Sequence, residues 1–418
     1  MTFRRHHLLI ISAQMPYPVR SGFQARVLNL ALAAAAEHDV TVLAYDTPSA
    51  TPPPEASLPR GLRFEMVPFA PPQGWAKRVA QLRCIATATP WGTSSVTTPQ
   101  LADAVQRIAR EEHVSVVMLE SSALAGLPVP DSLPVILDEH NIEYEVAHRL
   151  ARGESSPVRR VFHTLEARRV RRVEQAAWRS AHTTLVTSDR EASLIRAHRS
   201  DVPVAVVPNG VDVEAFAPTP GIASEPGLVV FNGVLDYRPN LDAARWLVEE
   251  VWPRVRSAAP AARLLIVGRG PAADRRRLER DGVATTGEVP SVAALLGRAT
   301  VIVVPVRMGG GTRLKVVEAL AMSRPIVSTT LGCEGIDVID GEHLLIADTP
   351  DDVAMATVRL LTDERLGAQL GVRGRALAVE RYTWDVAARG LLDTLRRIPP
   401  APHPRVASGP QSVLTPNQ

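Results

Sequence analysis

Thirteen short apolar runs recur along this 418-residue chain, and longer segments with helical periodicity separate them. The runs are rich in β-branched residues and stay apolar from end to end, which is typical of parallel strands that helices cover on both faces. A chain of this length is too long for one ordinary core, and the runs divide into a first set of seven and a second set of six. We therefore predict two doubly wound α/β domains. The predicted strands are 7–13, 40–45, 62–69, 114–120, 134–138, 184–187, 204–207, 228–232, 264–268, 283–287, 301–305, 326–329 and 344–347.

A stretch rich in proline, glycine and small residues, 208–226, is the predicted junction of the two domains. It divides the chain into an N-terminal domain at 1–207 and a C-terminal domain at 208–380. An amphipathic helix is predicted over 382–398. The segment 399–418 shows no hydrophobic periodicity, and we expect it to be disordered.

Composition argues against several classes of protein. A formal net charge of +3 and an aromatic content of 4% are low for a nucleic-acid-binding surface with stacking platforms. Cys84 and Cys333 match no metal-ligand spacing and favour a reducing compartment. The apolar run near Met1 stops after a few residues, and no stretch reaches the length of a transmembrane helix. We therefore expect a cytoplasmic protein.

Residues 309–318, Gly-Gly-Gly-Thr-Arg-Leu-Lys-Val-Val-Glu, lie between a predicted strand and a predicted helix. Glycines let a backbone approach a ligand closely and turn its N–H groups outward, and the helix N-terminus adds partial positive charge. Arg313 and Lys315 add two cations, and Lys315 is one of only two lysines among 47 basic residues. Glu318 follows, where a carboxylate can accept hydrogen bonds from ribose hydroxyls. The pattern predicts a cradle for an anion, most naturally a diphosphate; the alternative is a tight loop before a solvated helix.

The stretch 301–348 resembles the signature region of the family 4 retaining glycosyltransferases, which have the GT-B fold. Glu318 matches the second glutamate of that family's Glu-x7-Glu motif. Gly310 stands at the position of the first glutamate, as in a subgroup that carries a Gly-Gly-Gly-Thr-Arg-Leu-Lys loop there. The resemblance implies two Rossmann-like domains, each with a doubly wound parallel sheet, that face a cleft. It also implies that a C-terminal helix, 381–398, returns to the N-terminal domain.

The same resemblance implies which residues bind the donor. Residues 231–240 resemble the loop that opens the donor-binding domain, and Arg238 is the candidate for a further phosphate contact; the alternative is an exposed turn arginine. Gly22 follows the first strand, where the family's loop touches the diphosphate or the acceptor; a simple Pro/Gly turn is the alternative. The loop at Glu288 and Val289 resembles the one that lines the base. The predicted donor-binding residues are Gly22, Arg238, Glu288, Val289, Gly309, Gly310, Gly311, Thr312 and Leu314.

His140 lies in a polar cluster, 138–143, at the carboxyl end of a predicted strand, where open α/β sheets bind their ligands. A single histidine is often structural. This one resembles the histidine that the family places beside the donor sugar and the acceptor. Its implied role is to hydrogen-bond and position the sugar, with proton transfer as a second possibility. The predicted catalytic residues are His140, Arg313, Lys315 and Glu318.

The resemblance implies transfer of a sugar from a nucleotide-diphosphate sugar to an acceptor hydroxyl with retention, as in polysaccharide or glycoconjugate biosynthesis. No metal and no further cofactor are expected, because fixed cations replace the metal and no Asp-x-Asp stands at a strand end. The acceptor would be a carbohydrate, a lipid-linked molecule or a small molecule. Three alternatives stay open: an epimerase of the same fold, a non-catalytic nucleotide-sugar binder, and an NAD-dependent oxidoreductase. The last would rest on 268–273, which matches a dinucleotide fingerprint but follows the second strand of its domain.

The predicted helix 158–179 carries many arginines beside a partial apolar face. The default interpretation is a solvated face with scattered acidic residues. The alternative is attraction to an anionic membrane at its inner face, which would suit a lipid-linked acceptor.

Overall fold

The computed structural model describes residues 5–47, 51–69, 72–154, 156–218 and 224–399. Apart from residue 399, the segment predicted to be disordered lies outside these residues. The described chain contains two sheets built entirely from parallel strands. The strands are β1 His7–Ser12, β2 Asp39–Asp46, β3 Leu62–Pro68, β4 Val116–Leu119, β5 Val135–Glu139, β6 Thr183–Val186, β7 Val204–Val206, β8 Leu228–Asn232, β9 Arg263–Val267, β10 Val283–Thr285, β11 Val301–Val304, β12 Ile326–Ser328 and β13 Leu345–Ile346.

Helices separate most of the strands and cover both sheets. They are α1 Gly22–Ala35, α2 Gly74–Ala86, α3 Trp91–Val96, α4 Pro99–Glu111, α5 Glu143–Arg152, α6 Pro157–Ser180, α7 Asp189–His198, α8 Arg238–Trp246, α9 Trp252–Ala258, α10 Ala272–Leu278, α11 Val292–Leu296, α12 Leu314–Ala321, α13 Pro350–Thr362, α14 Glu364–Arg381 and α15 Trp384–Arg397. A π-helical turn, Leu247–Val251, joins α8 to α9. Among the described helices, none combines the length and the apolar character needed to cross a bilayer.

The first sheet has the strand order β3-β2-β1-β4-β5-β6-β7, and the second has the order β10-β9-β8-β11-β12-β13. In each sheet the first strand of its set pairs with a neighbour on both sides, β1 with β2 and β4, and β8 with β9 and β11. The strand order reverses at these two places, and an open sheet binds ligands in the crevice at such a point. The predicted fold, two doubly wound parallel-sheet domains of the GT-B type, is confirmed, and all thirteen predicted strands are present.

The non-alternating pattern of the strands follows from burial on both faces. In β1 every residue from Leu8 to Ser12 is buried, with Leu8 and Ile10 packing in one core and Leu9 and Ile11 in the other. Apolar side chains on both faces are removed from water, which is the main favourable contribution to folding. A polar residue in such a strand would need a hydrogen-bond partner, so the runs stay apolar.

The last helix, α15, lies against α1 of the N-terminal domain. Thr383 caps it by accepting a hydrogen bond from the Val386 N–H, and Ala387, Leu391 and Leu395 join the α1 core on one face. The junction between the sheets runs beside its start, because Val211 N donates to Tyr382 O at 2.8 Å.

The dinucleotide-like glycines after β9 have a packing role. Gly268 has φ of +148°, and a Cβ there would lie 2.1 Å from the carbonyl oxygen of Gly233. A Cβ on Gly270 would lie 2.6 Å from Leu235 Cβ. These glycines therefore let the β9 loop pack on the loop after β8, which accounts for the fingerprint without a dinucleotide.

Candidate active site

The loop 309–313, called the glycine loop below, connects the region after β11 to α12 and lies against the N-terminal domain. Gly309 and Gly311 have φ of +103° and +72°, which favours glycine at both positions. A Cβ on Gly311 would lie 2.0 Å from Asn141 Oδ1, and a Cβ on Gly310 would lie 2.5 Å from Val146 Cγ2. The close approach that these glycines permit is thus to the loop after β5 and to α5, across the cleft.

Arg313 is half-buried at the start of α12, in the position of the N-cap. Its Nη1 donates to the carbonyl oxygens of Gly310, at 2.7 Å, and of Gly311. Its Nη2 is buried and has no hydrogen-bond partner among the described residues. Burial lowers the pKa of the guanidinium, an effect that the nearby Tyr237 hydroxyl and Glu334 partly oppose. A buried cationic donor without an acceptor is costly, and an anion in the cleft would satisfy it.

Lys315 lies two residues further along and is also held without a carboxylate partner in the described chain. Its Nζ donates to Asn240 Oδ1 at 2.8 Å and lies 4.9 Å above the ring of Phe231. Gly233 leaves room for it, since a Cβ there would lie 2.8 Å from Nζ. Burial, assisted by the charge of Arg313, lowers the pKa of Lys315 to about 7. The neutral amine form of Lys315 is therefore poised to take up a proton when an anion arrives.

Glu318 lies on the same side of α12 as Lys315, three residues along. Burial raises the pKa of Glu318 to about 7, while the charge of Lys315 and the amide of Asn232 oppose the shift. Asn232 Nδ2 lies 3.5 Å from Glu318 Oε2, and Asn232 Oδ1 is buried without a partner among the described residues. Glu318 and Asn232 therefore offer polar groups that hydroxyl groups of a ligand could satisfy.

The facing wall of the cleft is built around His140, at the carboxyl end of β5. His140 Nε2 lies 2.9 Å from Glu120 Oε2 and 3.5 Å from Asp138 Oδ2. The ring of Phe23 stacks on the imidazole with centroids 4.6 Å apart. Burial raises the pKa of Glu120 to about 7, although the hydrogen bond from His140 opposes the shift. The imidazole is thus held on one nitrogen and on one face.

Arg26 neutralises the charge behind His140. It is fully buried and donates from two nitrogens to the two oxygens of Asp138, at 2.6 and 2.8 Å. Burial by itself would raise the pKa of Asp138, but the charge of Arg26 outweighs burial and lowers that pKa. Glu120, Asp138 and His140 offer ligand atoms within 4.8 Å of one another, a set that could hold a metal ion. Since Arg26 already donates to both oxygens of Asp138, the chain itself supplies the positive charge that this carboxylate needs.

Polar contacts join the two walls. Arg149 of α5 donates to both carboxylate oxygens of Glu334, at 2.7 and 2.8 Å, and to the carbonyl oxygen of Gly309 at 2.8 Å. Asn209, in the junction between the sheets, donates to Thr312 Oγ1 at 2.7 Å. The glycine loop is therefore held by side chains of the N-terminal half of the chain.

The predicted site residues fall into two groups in space. The structure brings together His140, the glycine loop, Leu314, Lys315 and Glu318, and it places Gly22 beside Leu314, whose Cδ1 would lie 2.9 Å from a Cβ there. Arg238 lies further out at the start of α8, half exposed, with Nη2 3.9 Å from Glu154 Oε2.

Glu288 and Val289 follow β10, the edge strand of the second sheet, and β9 separates that strand from β8. Glu288 is exposed, while Val289 is half-buried against the core of that domain. The catalytic and donor-binding roles of all the predicted site residues, these three included, stay predictions.

Sequence reasoning did not assign Glu120 or Arg26 to the site. Glu120 comes directly after β4, the neighbour of β1 at the place where the strand order reverses. The strand-end rule that pointed to His140 applies to Glu120 equally. Arg26 gives no such signal, because it lies inside α1 and its partner Asp138 is 112 residues away.

Two family models match the chain, one after the other. The model described as "Glycosyltransferase Family 4" matches residues 20–215, which include β2 to β7. The model described as "Glycosyl transferases group 1" matches residues 226–363, which include β8 to β13. Both sheets are thus part of a glycosyltransferase match.

Curated relatives carry related names. A "Phosphatidyl-myo-inositol mannosyltransferase" of Mycobacterium leprae is 29% identical over 261 residues, which are 59% of this chain and 68% of that protein. A "GDP-mannose-dependent alpha-(1-6)-phosphatidylinositol monomannoside mannosyltransferase" of Mycobacterium tuberculosis is 28% identical over 240 residues, 51% of this chain and 61% of that protein. The chain thus aligns with about three fifths of the length of the latter.

Solved structures share the whole fold. Sucrose-phosphate synthase from Thermosynechococcus elongatus has a TM-score of 0.71 at 20% identity, covering 94% of this chain and 98% of that one. Anabaena HepE in complex with UDP-glucose has a TM-score of 0.65 at 14% identity, covering 94% and 100%. At such identities the likeness shows the arrangement of two Rossmann-like domains, and it says nothing of substrate.

Proposed function

Because this chain is a family 4 glycosyltransferase with the GT-B fold, we propose that it transfers a sugar from a nucleotide-diphosphate sugar to an acceptor hydroxyl with retention and without a metal ion. One observation carries the proposal. Arg313 and Lys315 are half-buried beside the cleft and have no carboxylate partners among the described residues, and the buried Arg313 Nη2 has no hydrogen-bond partner there. Two such cations at a helix N-terminus suit the diphosphate of a donor.

In this proposal the bond between the anomeric carbon and the diphosphate oxygen breaks first, and negative charge develops on the departing nucleoside diphosphate. Arg313, Lys315 and the N–H groups of the glycine loop stabilise that charge as it forms. The acceptor oxygen then bonds to the anomeric carbon on the face that the diphosphate leaves, and its proton passes to the departing diphosphate. Attack on that face retains the anomeric configuration. The fixed cations serve where other enzymes use a metal ion.

His140 positions the sugar ring in this scheme. We assign a proton to Nε2, which lies 2.9 Å from the Glu120 carboxylate, and this tautomer leaves Nδ1 as an acceptor for a sugar hydroxyl. Phe23, stacked on the imidazole, restricts its rotation. Glu318 accepts from the ribose hydroxyls of the donor. Gly310 has no side chain, so contacts to the sugar ring come from His140 and from backbone groups.

The names of the relatives suggest which donor to test first. One relative is called GDP-mannose-dependent, and two are called mannosyltransferases with phosphatidylinositol-based acceptors. The Anabaena protein of the same fold holds UDP-glucose. GDP-mannose is therefore the first candidate donor and UDP-glucose the second, with a carbohydrate or lipid-linked acceptor.

A thermal-shift panel of GDP-, UDP- and dTDP-sugars tests donor binding, since a ligand at 100 to 1,000 times its Kd stabilises by about 3–4 kcal/mol. The donor that binds is then incubated with candidate acceptors, with and without EDTA, and the anomeric configuration of the product is read by NMR. We expect release of nucleoside diphosphate, an α-linked product from an α-linked donor, and no effect of EDTA. Conversion of the donor sugar without any acceptor would indicate an epimerase, and an inverted product would contradict retention.

A further inference from the structure

Two helices of the N-terminal half expose apolar side chains at helical spacing. On α2 they are Trp75, Val79 and Leu82, called the α2 stripe below, and Trp75 is 78% exposed. On α6 they are Val158, Val161, Phe162 and Leu165, called the α6 stripe, and Val158 is 79% exposed. Spacings of three, four and seven residues place each set on one face of its helix. The two stripes hold seven of the fourteen large apolar side chains that are exposed in the described chain.

Basic residues accompany both stripes. Within α2, Arg78 and Arg83 lie on either side of the apolar face at 100° per residue, and the helix contains no acidic residue. The α6 stripe is followed by arginines on the same helix, and the single acidic residue between Pro157 and Arg172 is Glu166. Glu166 already accepts from Trp91 N and pairs with Arg169. Each stripe is therefore apolar and accompanied by positive charge, with little acidic charge on its own helix to offset it.

The two stripes lie on connected elements next to the cleft. α2 leads through a short turn into α3, whose first residue, Trp91, donates from its N–H to Glu166 of α6 at 2.6 Å. The start of α6 adjoins the cleft, because Glu154, just before it, lies 3.9 Å from Arg238 of the C-terminal domain. A surface that held both stripes would thus lie beside the cleft opening.

We propose that the α2 stripe and the α6 stripe together dock the enzyme on an anionic lipid bilayer. Apolar side chains flanked by arginines match a bilayer interface, where the apolar part enters the acyl boundary and the guanidinium groups remain among anionic headgroups. Charge complementarity favours this occupant over another copy of the chain, since two copies of a positive surface would repel each other. Docking is independent of the transfer reaction and is measured without it.

The test is co-sedimentation of the full-length protein with vesicles of phosphatidylcholine containing phosphatidylglycerol, compared with vesicles of phosphatidylcholine alone. We expect binding to the anionic vesicles and a blue shift of tryptophan fluorescence that Trp75→Ser reduces. Arg78→Gln with Arg83→Gln should weaken binding about fivefold per arginine. Trp75→Ser with Leu82→Ser, and separately Phe162→Ser with Leu165→Ser, should each weaken it about tenfold or more.

Matched controls come from the C-terminal domain. Met355→Ser with Val372→Ser removes comparably exposed apolar side chains, and Arg365→Gln with Arg373→Gln removes the same charge; neither pair should alter binding. Thermal unfolding and transfer to a water-soluble acceptor identify a variant that fails to fold and separate this proposal from that of the transfer reaction. Equal binding to neutral and anionic vesicles, no binding by the wild type, or an effect of only one stripe would overturn the proposal. Self-association of the wild type in sedimentation velocity that the stripe variants lose would assign the surface to a second copy instead.

Discussion

On the N-terminal wall of the cleft, Asp138 has a cationic partner within the chain, whereas the two cations of the C-terminal wall, Arg313 and Lys315, have no carboxylate partner among the described residues. On the first wall, Asp138 receives two hydrogen bonds from Arg26, and Glu120 lies against His140 Nε2. On the second wall, Lys315 is held only by a neutral amide and an aromatic ring, and Arg313 Nη2 is unpartnered in the described chain.

We interpret this difference as a division of roles in which the N-terminal wall positions the sugar and the C-terminal wall binds the diphosphate. Buried charges that are already paired are held rigidly and gain little from a ligand. Buried cations without a counter-charge gain most when an anion enters, and that gain is largest where charge develops during the reaction. The four predictions that follow separate these two roles, beginning with the largest expected effect.

Lys315→Ala should reduce kcat by about 10²–10³-fold, because it removes a preorganised charge at the departing diphosphate. Release of nucleoside diphosphate at saturating donor measures the loss, and circular dichroism checks the fold. Lys77→Ala removes the other lysine, which is exposed on α2, and should leave turnover on a soluble acceptor unchanged. If folded Lys315→Ala protein turns over at the wild-type rate, Lys315 does not stabilise the leaving group.

His140→Ala should lower kcat by about 10²-fold through misplacement of the sugar, while the Kd for the free nucleoside diphosphate stays that of the wild type. Glu120→Gln keeps an oxygen for His140 Nε2 but removes the charge, so a smaller loss is expected. It should also remove the contribution of Glu120 to the pH dependence of kcat near pH 7, where burial places the pKa of Glu120, and leave the contributions of Lys315 and Glu318 in place. A weaker Kd for nucleoside diphosphate in His140→Ala would place that residue on the binding wall instead.

Gly311→Ala should separate the two walls. The new Cβ would overlap Asn141 Oδ1. The alanine would also have to adopt a positive φ, which costs roughly 1–3 kcal/mol for residues other than glycine. Gly341→Ala is the matched control, because Gly341 has nearly the same φ of +71° and nothing within 4 Å of a Cβ. Gly311→Ala should lower Tm by more than the control does and should also lower kcat, which the control should preserve. Equal Tm and kcat for the two variants would show that the contact of Gly311 with Asn141 is dispensable.

Donor binding should take up protons at Lys315. Because burial lowers the pKa of Lys315 to about 7, much of it is neutral at pH 8, and a bound diphosphate raises that pKa again. Binding should therefore be tighter at pH 6.5 than at pH 8.5, with an uptake approaching one proton at pH 8. Calorimetry in two buffers of different ionisation enthalpy measures it. Lys315→Arg, whose guanidinium stays charged, should abolish the uptake; an unchanged uptake in that variant would assign the proton to another group.

Strand positions were predictable because the signal is local. A strand buried on both faces needs an unbroken apolar run, so β8 and its neighbours can be located from the pattern of apolar residues in the sequence. Strand ends were less accurate, since hydrogen-bonding neighbours decide them. β4, for example, spans Val116–Leu119, whereas its apolar run suggested 114–120. Glu120, which was predicted to be the last residue of this strand, instead follows the strand and contacts His140 Nε2.

The partners of the site residues were not predictable from the sequence. Arg26 and Asp138 are 112 residues apart, and Lys315 and Asn240 are 75 apart. The glycines at 310 and 311 were assigned to the approach of a ligand, yet in the structure they also make room for the opposite domain. No local pattern records such contacts, because they depend on how two sheets from different parts of the chain face each other.

The sequence by itself determined the two parallel sheets, the glycine loop with its two cations, and the histidine at a strand end, because each is specified by residues close together in the chain. Only the tertiary structure decided which of these charges are paired. Pairing is set by burial and by contacts between residues distant in sequence. It gives Asp138 on one wall an arginine partner and leaves Arg313 and Lys315 on the other wall without a carboxylate partner among the described residues.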